Sequence, residues 1–217
     1  MIYERQITIT VGENRKSVNW KPRVLWLSEF YDMLRVPARS PETVAEYLNL
    51  TKGQQDELKD VGGFLAGTLI GTRRKANAVS GRDLLTLDLD SIPANGTDDV
   101  LRRVGGLGCG YCVYSTRKHR PSAPRLRVLL LLDRTATADE YEPCARRIAE
   151  MLGMELADPT TFEVSRMMYF PSVCADGQYI YATDDKPFLS VDGLLATYAD
   201  WRNYTSWPTA PGAMSPA

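Results

Sequence analysis

The chain has 217 residues, a length that fits one large domain or one domain with a small appendage. Its hydrophobic content of 44% and charged content of 24% are typical of a globular protein. The formal net charge of −1 excludes a protein that attracts nucleic acid through its overall charge, so any contact with phosphate must come from local clusters of cations.

No apolar run approaches the length of a membrane span, and the charged start of the chain is unlike a signal peptide. We therefore expect a cytoplasmic protein without a membrane partner. Cys109 and Cys112 have the spacing of a zinc-binding pair, but the chain offers no second close pair of cysteines and only one histidine. Buried free thiols are the expectation for the cysteines.

The first quarter of the chain predicts a β-rich start and then short helices. Residues 2–11 alternate in character, as a strand does. An apolar stripe at helical spacing predicts a helix over residues 28–34. A second helix is predicted to begin at Ser40, as the N-cap residue, and to continue through Leu48. Residues 51–60 are polar and helix-prone.

Three consecutive cations, Arg73, Arg74 and Lys75, come just before a strand-like stretch. A solvated surface is the ordinary interpretation of such a run. The alternative is contact with the backbone of a nucleic-acid template.

The stretch DLLTLDLD, residues 83–90, has the length and apolar content of a strand but contains two carboxylates two residues apart. Alternation along a strand places Asp88 and Asp90 on one face and the intervening leucines on the other. Burying unpaired carboxylates is costly, so the pair predicts bound cations, and Mg²⁺ or Mn²⁺ are the usual partners of hard oxygen ligands. The alternative is that the aspartates only cap the turn predicted at residues 91–96.

A helix over residues 97–103 and a strand over residues 111–115 are predicted next, separated by glycines. The following loop, residues 115–127, carries five cations and the only histidine, His119. Arg125 and Arg127 open a strand that continues to residue 132, and alternation places both guanidiniums on one face. Arginine forks suit the phosphate oxygens of a nucleoside triphosphate. A surface position is the ordinary alternative for the histidine.

A helix is predicted from Thr137 to about Leu152. Asp158 then precedes a proline, and it either starts a turn or supplies the third carboxylate that a two-metal site usually needs. Glu163 is the competing candidate for that third carboxylate, and Arg166 heads a further predicted strand.

Near the end of the chain we predict a short strand from residue 179, an acidic turn at residues 184–185 and a helix over residues 191–198. Residues 205–217 are linker-like in composition.

Three stretches in this order resemble the catalytic domain of the archaeo-eukaryotic primase (primase-polymerase) superfamily, in its phage and plasmid branch. They are LLTLDLD, YSTRKHRPSAPRLRVLLLL and DPTTFEVSRMMYFPS, with weaker support from KDVGGFLAG and TRRK. The nearest likeness is to the primase-like region ahead of the helicase in virulence-associated E type replication proteins. The resemblance implies an α+β fold over residues 1–204, with an RNA-recognition-motif-like antiparallel sheet joined to an α/β unit.

The resemblance also implies roles for acidic residues. The aspartate pair with which the family binds divalent metal matches Asp88 and Asp90, and its third acidic motif best matches Asp158. Arg166 stands where such proteins often place an arginine.

A small-residue-and-histidine motif, which contacts the phosphates of the incoming nucleotide in the family, matches Ser115 and His119. The family separates these two positions by one residue, whereas this chain separates them by three.

The implied function is that of a metal-dependent DNA primase-polymerase that uses two Mg²⁺ or Mn²⁺ ions, nucleoside triphosphates, a DNA template or primer, and a helicase partner. Nucleotide contacts are expected from Ser115, His119, Arg125, Arg127 and Arg166. Nucleic-acid contacts are expected from Arg73, Arg74, Lys75, Arg117 and Lys118.

Two alternatives stay open. One is a non-catalytic replication module that binds single-stranded nucleic acid through the same basic loop. The other is a metal-dependent nuclease or a rolling-circle initiator, and the initiator is disfavoured because it normally needs a pair of histidines.

Overall fold

The computed structural model describes residues 1–210, whose strands and helices fall into the following ranges. The strands are β1 (Gln6–Gly12), β2 (Lys21–Trp26), β3 (Ala38–Arg39), β4 (Gly63–Leu65), β5 (Gly67–Leu69), β6 (Val79–Leu89), β7 (Tyr111–Ser115), β8 (Leu126–Ala136), β9 (Met168–Tyr169), β10 (Ser172–Val173) and β11 (Tyr181–Asp184). The helices are α1 (Leu27–Arg35), α2 (Val44–Asn49), α3 (Lys52–Leu58), α4 (Thr97–Gly105), α5 (Ala138–Leu152) and α6 (Val191–Leu195).

The aspartate stretch lies in the long strand β6 of a five-stranded sheet with the order β11-β7-β8-β6-β5. Every neighbouring pair in this sheet is antiparallel. A second sheet, with the order β2-β1-β4-β9, is also antiparallel, and β3 and β10 form a small parallel pair. The predicted α+β class with an antiparallel sheet is confirmed.

Both faces of the five-stranded sheet are covered. Leu85, Leu87 and Leu89 pack on one face in a core shared with α4, α5 and α6. Leu84 packs on the other face, in a core shared with β1 and α1. The alternation of this strand is therefore as predicted, and it turns Asp88 away from α4, α5 and α6.

The stretch that contains Asp158 reaches the aspartate pair by lying along the edge of β6. β5 pairs with β6 only as far as Arg82, so the edge beyond that residue is open to other partners. There the Asp88 N–H donates to the Thr161 Oγ (2.8 Å), and the Asp158 N–H donates to the Asp88 carbonyl oxygen (2.9 Å). Backbone hydrogen bonds therefore hold Asp158 beside Asp88, although the two are far apart in sequence.

Arg82 is completely buried and ties the same segment to the sheet. Its guanidinium donates to the carbonyl oxygens of Ala66 (3.1 Å) and Val164 (2.6 Å) and to the Thr86 Oγ (2.9 Å), and it stacks on the Tyr141 ring. Burial lowers the pKa of this arginine. The contact with Val164 fixes the chain between Asp158 and Arg166.

Several element boundaries differ from the sequence prediction. Thr43, not Ser40, is the N-cap of α2, because its hydroxyl accepts the Glu46 N–H while the Glu46 carboxylate accepts the Thr43 N–H. Ser40 instead donates to the Glu42 carboxylate. Arg166 precedes the short strand β9 in irregular chain.

Near the end of the described chain, β11 extends through Asp184, where an acidic turn was predicted, and α6 ends at Leu195. Trp207 donates to the Trp201 carbonyl oxygen, and the Pro208 carbonyl oxygen accepts from Arg146 of α5. Part of the predicted linker-like tail thus contacts the domain. The rest, residues 211–217, lies outside the described residues.

All four cysteines are buried, as predicted, and are free thiols. Within residues 1–210, no helix has the length and apolar character needed to cross a membrane.

Replacing Arg82 with Met tests the anchoring of the Asp158 segment. The variant leaves buried acceptors without donors, so we expect the free energy of unfolding to fall by roughly 2–4 kcal/mol in urea denaturation. The control is Arg23→Met, at an exposed position of β2, which should change the free energy of unfolding by less than about 0.5 kcal/mol. Equal stability of the two variants would contradict this role of Arg82.

Candidate functional site

A cleft of about 570 Å³ opens where the end of β6, the start of β8, the chain around residues 158–172 and the α2–α3 helices meet. Nine arginines and lysines and five carboxylates line this cleft, so it carries an excess of four positive charges. The whole chain has a net charge of −1. The cleft therefore concentrates the local positive charge that an anionic ligand requires.

Asp88 and Arg127 form a buried ion pair at the base of the cleft. The two residues are direct cross-strand neighbours of β6 and β8, and the Arg127 Nε donates to the Asp88 Oδ1 at 2.6 Å. The Arg127 Nη1 also donates to the Tyr114 hydroxyl (2.9 Å) and to the Tyr169 carbonyl oxygen (2.8 Å). Burial lowers the pKa of Arg127, but the Asp88 charge outweighs it, and the pKa lies well above its usual value.

Asp90 forms a second ion pair, with Arg125. The Arg125 Nη1 donates to the Asp90 Oδ2, and both side chains are about one-third exposed. Burial raises the pKa of Asp90, Arg125 opposes that shift, and the negative charges of Asp88 and Asp158 add to it. All three carboxylates line the same cleft.

Asp158 forms the third pair, with Arg166. The Arg166 Nη2 lies 3.1 Å from the Asp158 Oδ2 and 3.9 Å from the Asp88 Oδ2, so it bridges the two carboxylates. The other oxygen of Asp158 accepts from the backbone and hydroxyl of Thr160. Glu163, the competing candidate, is exposed and lines the cleft without an ion pair within residues 1–210.

Each of the three carboxylates thus has its own arginine. An all-oxygen donor set fits Mg²⁺ or Mn²⁺ in its chemistry. Among residues 1–210, however, no three potential ligands are arranged as a ready metal cluster. Arg166 would have to leave the two carboxylates that it bridges before they could share an ion.

His119 lies behind the cleft rather than on its lining. Only 2% of the residue is exposed, and its Nδ1 accepts the Arg125 N–H at 3.1 Å. That bond places the proton of the neutral ring on Nε2, and burial lowers the pKa of His119. Ser115 lines the cleft but is 1% exposed, and its Oγ accepts the Ile180 N–H at 2.9 Å.

The remaining predicted cations differ in accessibility. Arg117 is 6% exposed, pairs with Glu42 and stacks on the Tyr47 ring. Lys118 lines the cleft and is half-buried.

Of the basic triplet, only Arg74 lines the cleft. It stacks on the Trp20 ring and donates to the Ser165 carbonyl oxygen at 2.7 Å. Arg73 and Lys75 are exposed.

The structure adds cleft residues that the sequence analysis did not single out, on and near α3. Lys52, Asp56 and Lys59 line the cleft together, with Arg15 from the loop after β1. Lys52, Asp56 and Lys59 are spaced by four and three residues, which places them on one helical face. This spacing was the only feature of the sequence that could have indicated a shared site. Such spacing is common on solvated helices, so it carried no functional indication by itself.

Three comparisons with known proteins give the following findings. The family model described as "VapE N-terminal domain" matches residues 1–210. Among solved structures, the AEP domain of the Cyanophage S-2L Primase-Polymerase (PrimPol) is similar, with 10% sequence identity and a TM-score of 0.46 over 88% of each chain. None of the curated proteins matches the sequence.

The single histidine allows a clean test of its buried, neutral state. Because the pKa of His119 is lowered in the folded protein, the unfolded chain takes up a proton near its ordinary pKa of about 6.5 while the folded chain resists it. The His119 contribution to the free energy of unfolding should therefore be lost progressively as the pH falls from 7 to 5. In His119→Gln, urea denaturation across this range should show a smaller decrease than in the wild type. An identical pH dependence in both proteins would refute this assignment.

Removing Arg127 should expose the cost of burying Asp88. We expect Arg127→Met to lower the free energy of unfolding by about 3 kcal/mol, because Asp88 would lose its main cation. The double variant with Asp88→Asn should recover part of that loss, as measured by a double-mutant cycle in urea. The control is Arg102→Met, whose pair with Asp99 is exposed and should contribute less than about 1 kcal/mol. Strict additivity at positions 88 and 127 would contradict the coupling.

Proposed function

The chain belongs to the VapE N-terminal domain family, and on that basis we propose that it is a metal-dependent, template-directed nucleotidyltransferase, a DNA primase-polymerase of phage or plasmid replication. The observation that carries the proposal is the meeting of Asp88, Asp90 and Asp158 in one cleft that has excess positive charge. Carboxylates for cations and cations for phosphates are the two elements that phosphoryl transfer requires.

The reaction proposed is attack of a primer or initiating 3′-hydroxyl on the α-phosphate of a nucleoside triphosphate, with release of pyrophosphate. Two Mg²⁺ or Mn²⁺ ions held by Asp88, Asp90 and Asp158 would stabilise the charge on the attacking and leaving oxygens. The protein's own part is to place its cations around the phosphates.

Arg125 and Arg166 are the guanidiniums best placed to turn toward a phosphate. Each is about one-third exposed and has few partners besides its carboxylate. The Nε of Arg166 is buried without a hydrogen-bond partner within residues 1–210, so a phosphate oxygen could satisfy it. Arg127, by contrast, is buried, binds Asp88, Tyr114 and Tyr169 through its Nε and Nη1, and would act by holding Asp88 in place.

His119 would act on the nucleotide through Arg125, because the ring lies behind the cleft and is only 2% exposed. Its Nδ1 accepts the Arg125 N–H, which fixes the backbone of Arg125. The Ser115 hydroxyl accepts the Ile180 N–H and keeps its own proton, which would be free to donate to the nucleotide.

The template would follow the basic triplet. Arg74 lines the cleft, held by stacking on the buried Trp20 ring, and the exposed Arg73 and Lys75 continue the basic surface outward. We also propose a helicase as the replication partner, from the resemblance to the region that precedes the helicase in VapE-type proteins.

A second candidate function is a non-catalytic module that binds single-stranded nucleic acid. The observation that favours it is that an arginine already neutralises each of the three carboxylates. Such a protein would bind DNA without metal and would incorporate no nucleotide.

The decisive experiment is incorporation of labelled nucleotides on single-stranded and primed DNA with Mg²⁺ or Mn²⁺. We expect Asp88→Ala combined with Asp90→Ala to reduce incorporation by at least about 1,000-fold, because the proposed metal ligands would be lost. The control is Asp32→Ala, at an exposed ion pair on α1, which should keep wild-type incorporation. Undiminished products from the double variant would end the proposal, and DNA binding without any incorporation would establish the second candidate.

A further inference from the structure

The wall of the cleft formed by α3 carries cations that the aspartate site does not use. Lys52 and Lys59 lie on this helix or at its end, and Lys118 joins them from the basic loop. We call these three lysines the α3 wall.

Two of the ammonium groups are held unusually close together. The Nζ of Lys52 is 2.5 Å and the Nζ of Lys59 is 2.7 Å from the same Asp56 Oδ1. The two nitrogens are therefore no more than about 5 Å apart, a distance at which like charges repel. The other Asp56 oxygen accepts from Arg15 at 2.9 Å, so one carboxylate serves three cations.

Lys118 adds a positive charge with no carboxylate partner within residues 1–210. Burial lowers the pKa of Lys118, and the charges of Lys52, Arg125 and Lys59 lower it further. Four cations, Lys52, Lys59, Lys118 and Arg125, therefore line the cleft together. In the part of the chain that the structure describes, their ion-pair partners are only two carboxylates, Asp56 and Asp90.

From this arrangement we propose that the α3 wall is a binding site for a polyphosphate, and that it takes the β- and γ-phosphates of the incoming nucleoside triphosphate. This inference rests on the proposed function, and it assigns residues that bind the terminal phosphates of the nucleotide substrate. A triphosphate carries several negative charges on closely spaced oxygens, which matches ammonium groups held no more than about 5 Å apart.

The position of Lys118 favours the nucleotide over a DNA strand. Lys118 precedes His119, whose Nδ1 accepts the Arg125 N–H, and Arg125 is paired with Asp90, so the α3 wall lies next to the Asp90 end of the carboxylates. Arg74 lies at the other end, because it donates to the carbonyl oxygen of Ser165, and the next residue, Arg166, pairs with Asp158. A triphosphate at the α3 wall leaves that other end for nucleic acid.

The test uses tripolyphosphate as the probe and titration calorimetry on the full chain. Lys118→Ala and the double variant Lys52→Ala with Lys59→Ala should each weaken tripolyphosphate binding by about 10-fold or more. Lys118→Arg, which keeps the charge, should recover most of the affinity. Binding of an oligothymidylate, measured by fluorescence anisotropy, should change less than about 2-fold in all of these variants.

The control is Lys21→Ala combined with Arg23→Ala, which removes two charges from the exposed strand β2. It should leave tripolyphosphate binding unchanged. Unaltered tripolyphosphate binding in the wall variants, or no binding by the wild type, would overturn the inference. Equal loss of oligothymidylate and tripolyphosphate binding would overturn it in favour of a nucleic-acid surface.

The two proposals fail separately. A wild-type protein that binds tripolyphosphate through the α3 wall but incorporates no nucleotide keeps this inference and loses the proposed function. A protein that incorporates nucleotides with unaltered affinity in the wall variants loses only the inference.

Discussion

The buried pairing of Asp88 with Arg127 connects the fold of this protein to its site. The two residues face each other across β6 and β8, so the register of the central sheet and the position of the first carboxylate are set together. A slip of one residue would turn Asp88 into the helix-facing core, where a lone carboxylate is very unfavourable. Arg127 also donates to Tyr114 and Tyr169, and these bonds offset the cost of burying its charge. Because Tyr169 belongs to β9, the bond also connects the second sheet to the Asp88–Arg127 pair.

Charge is distributed unequally across the cleft. On one wall, three aspartates are matched by three arginines, and the buried carboxylates are held without a large net charge. On the other wall, Asp56 serves Lys52, Lys59 and Arg15. Under the proposed function, the second wall would attract the phosphates, and divalent cations would replace the arginines at the carboxylates of the first wall. One cleft would then combine a site for cations with a site for phosphates.

The sequence predicted the parts of this arrangement that depend on local patterning. Alternation in the aspartate stretch placed Asp88 opposite the leucines, and the periodicity before Gly153 predicted α5 nearly to its ends. It did not predict that Arg125 and Arg127 would pair with the aspartates, because cross-strand register depends on which strands become neighbours. The α3 wall was missed for a related reason, since only tertiary packing brings that helix to the cleft.

The central claim is that the three carboxylates, now paired with arginines, form a site for divalent cations. The most direct measurement is an anomalous-scattering map from crystals grown with Mn²⁺ and a non-hydrolysable nucleoside triphosphate. The account predicts Mn²⁺ peaks bonded to Asp88, Asp90 and Asp158, with Arg166 moved away from Asp158. A map without a peak at these carboxylates, with all three arginine pairs intact in the presence of the nucleotide, would contradict it.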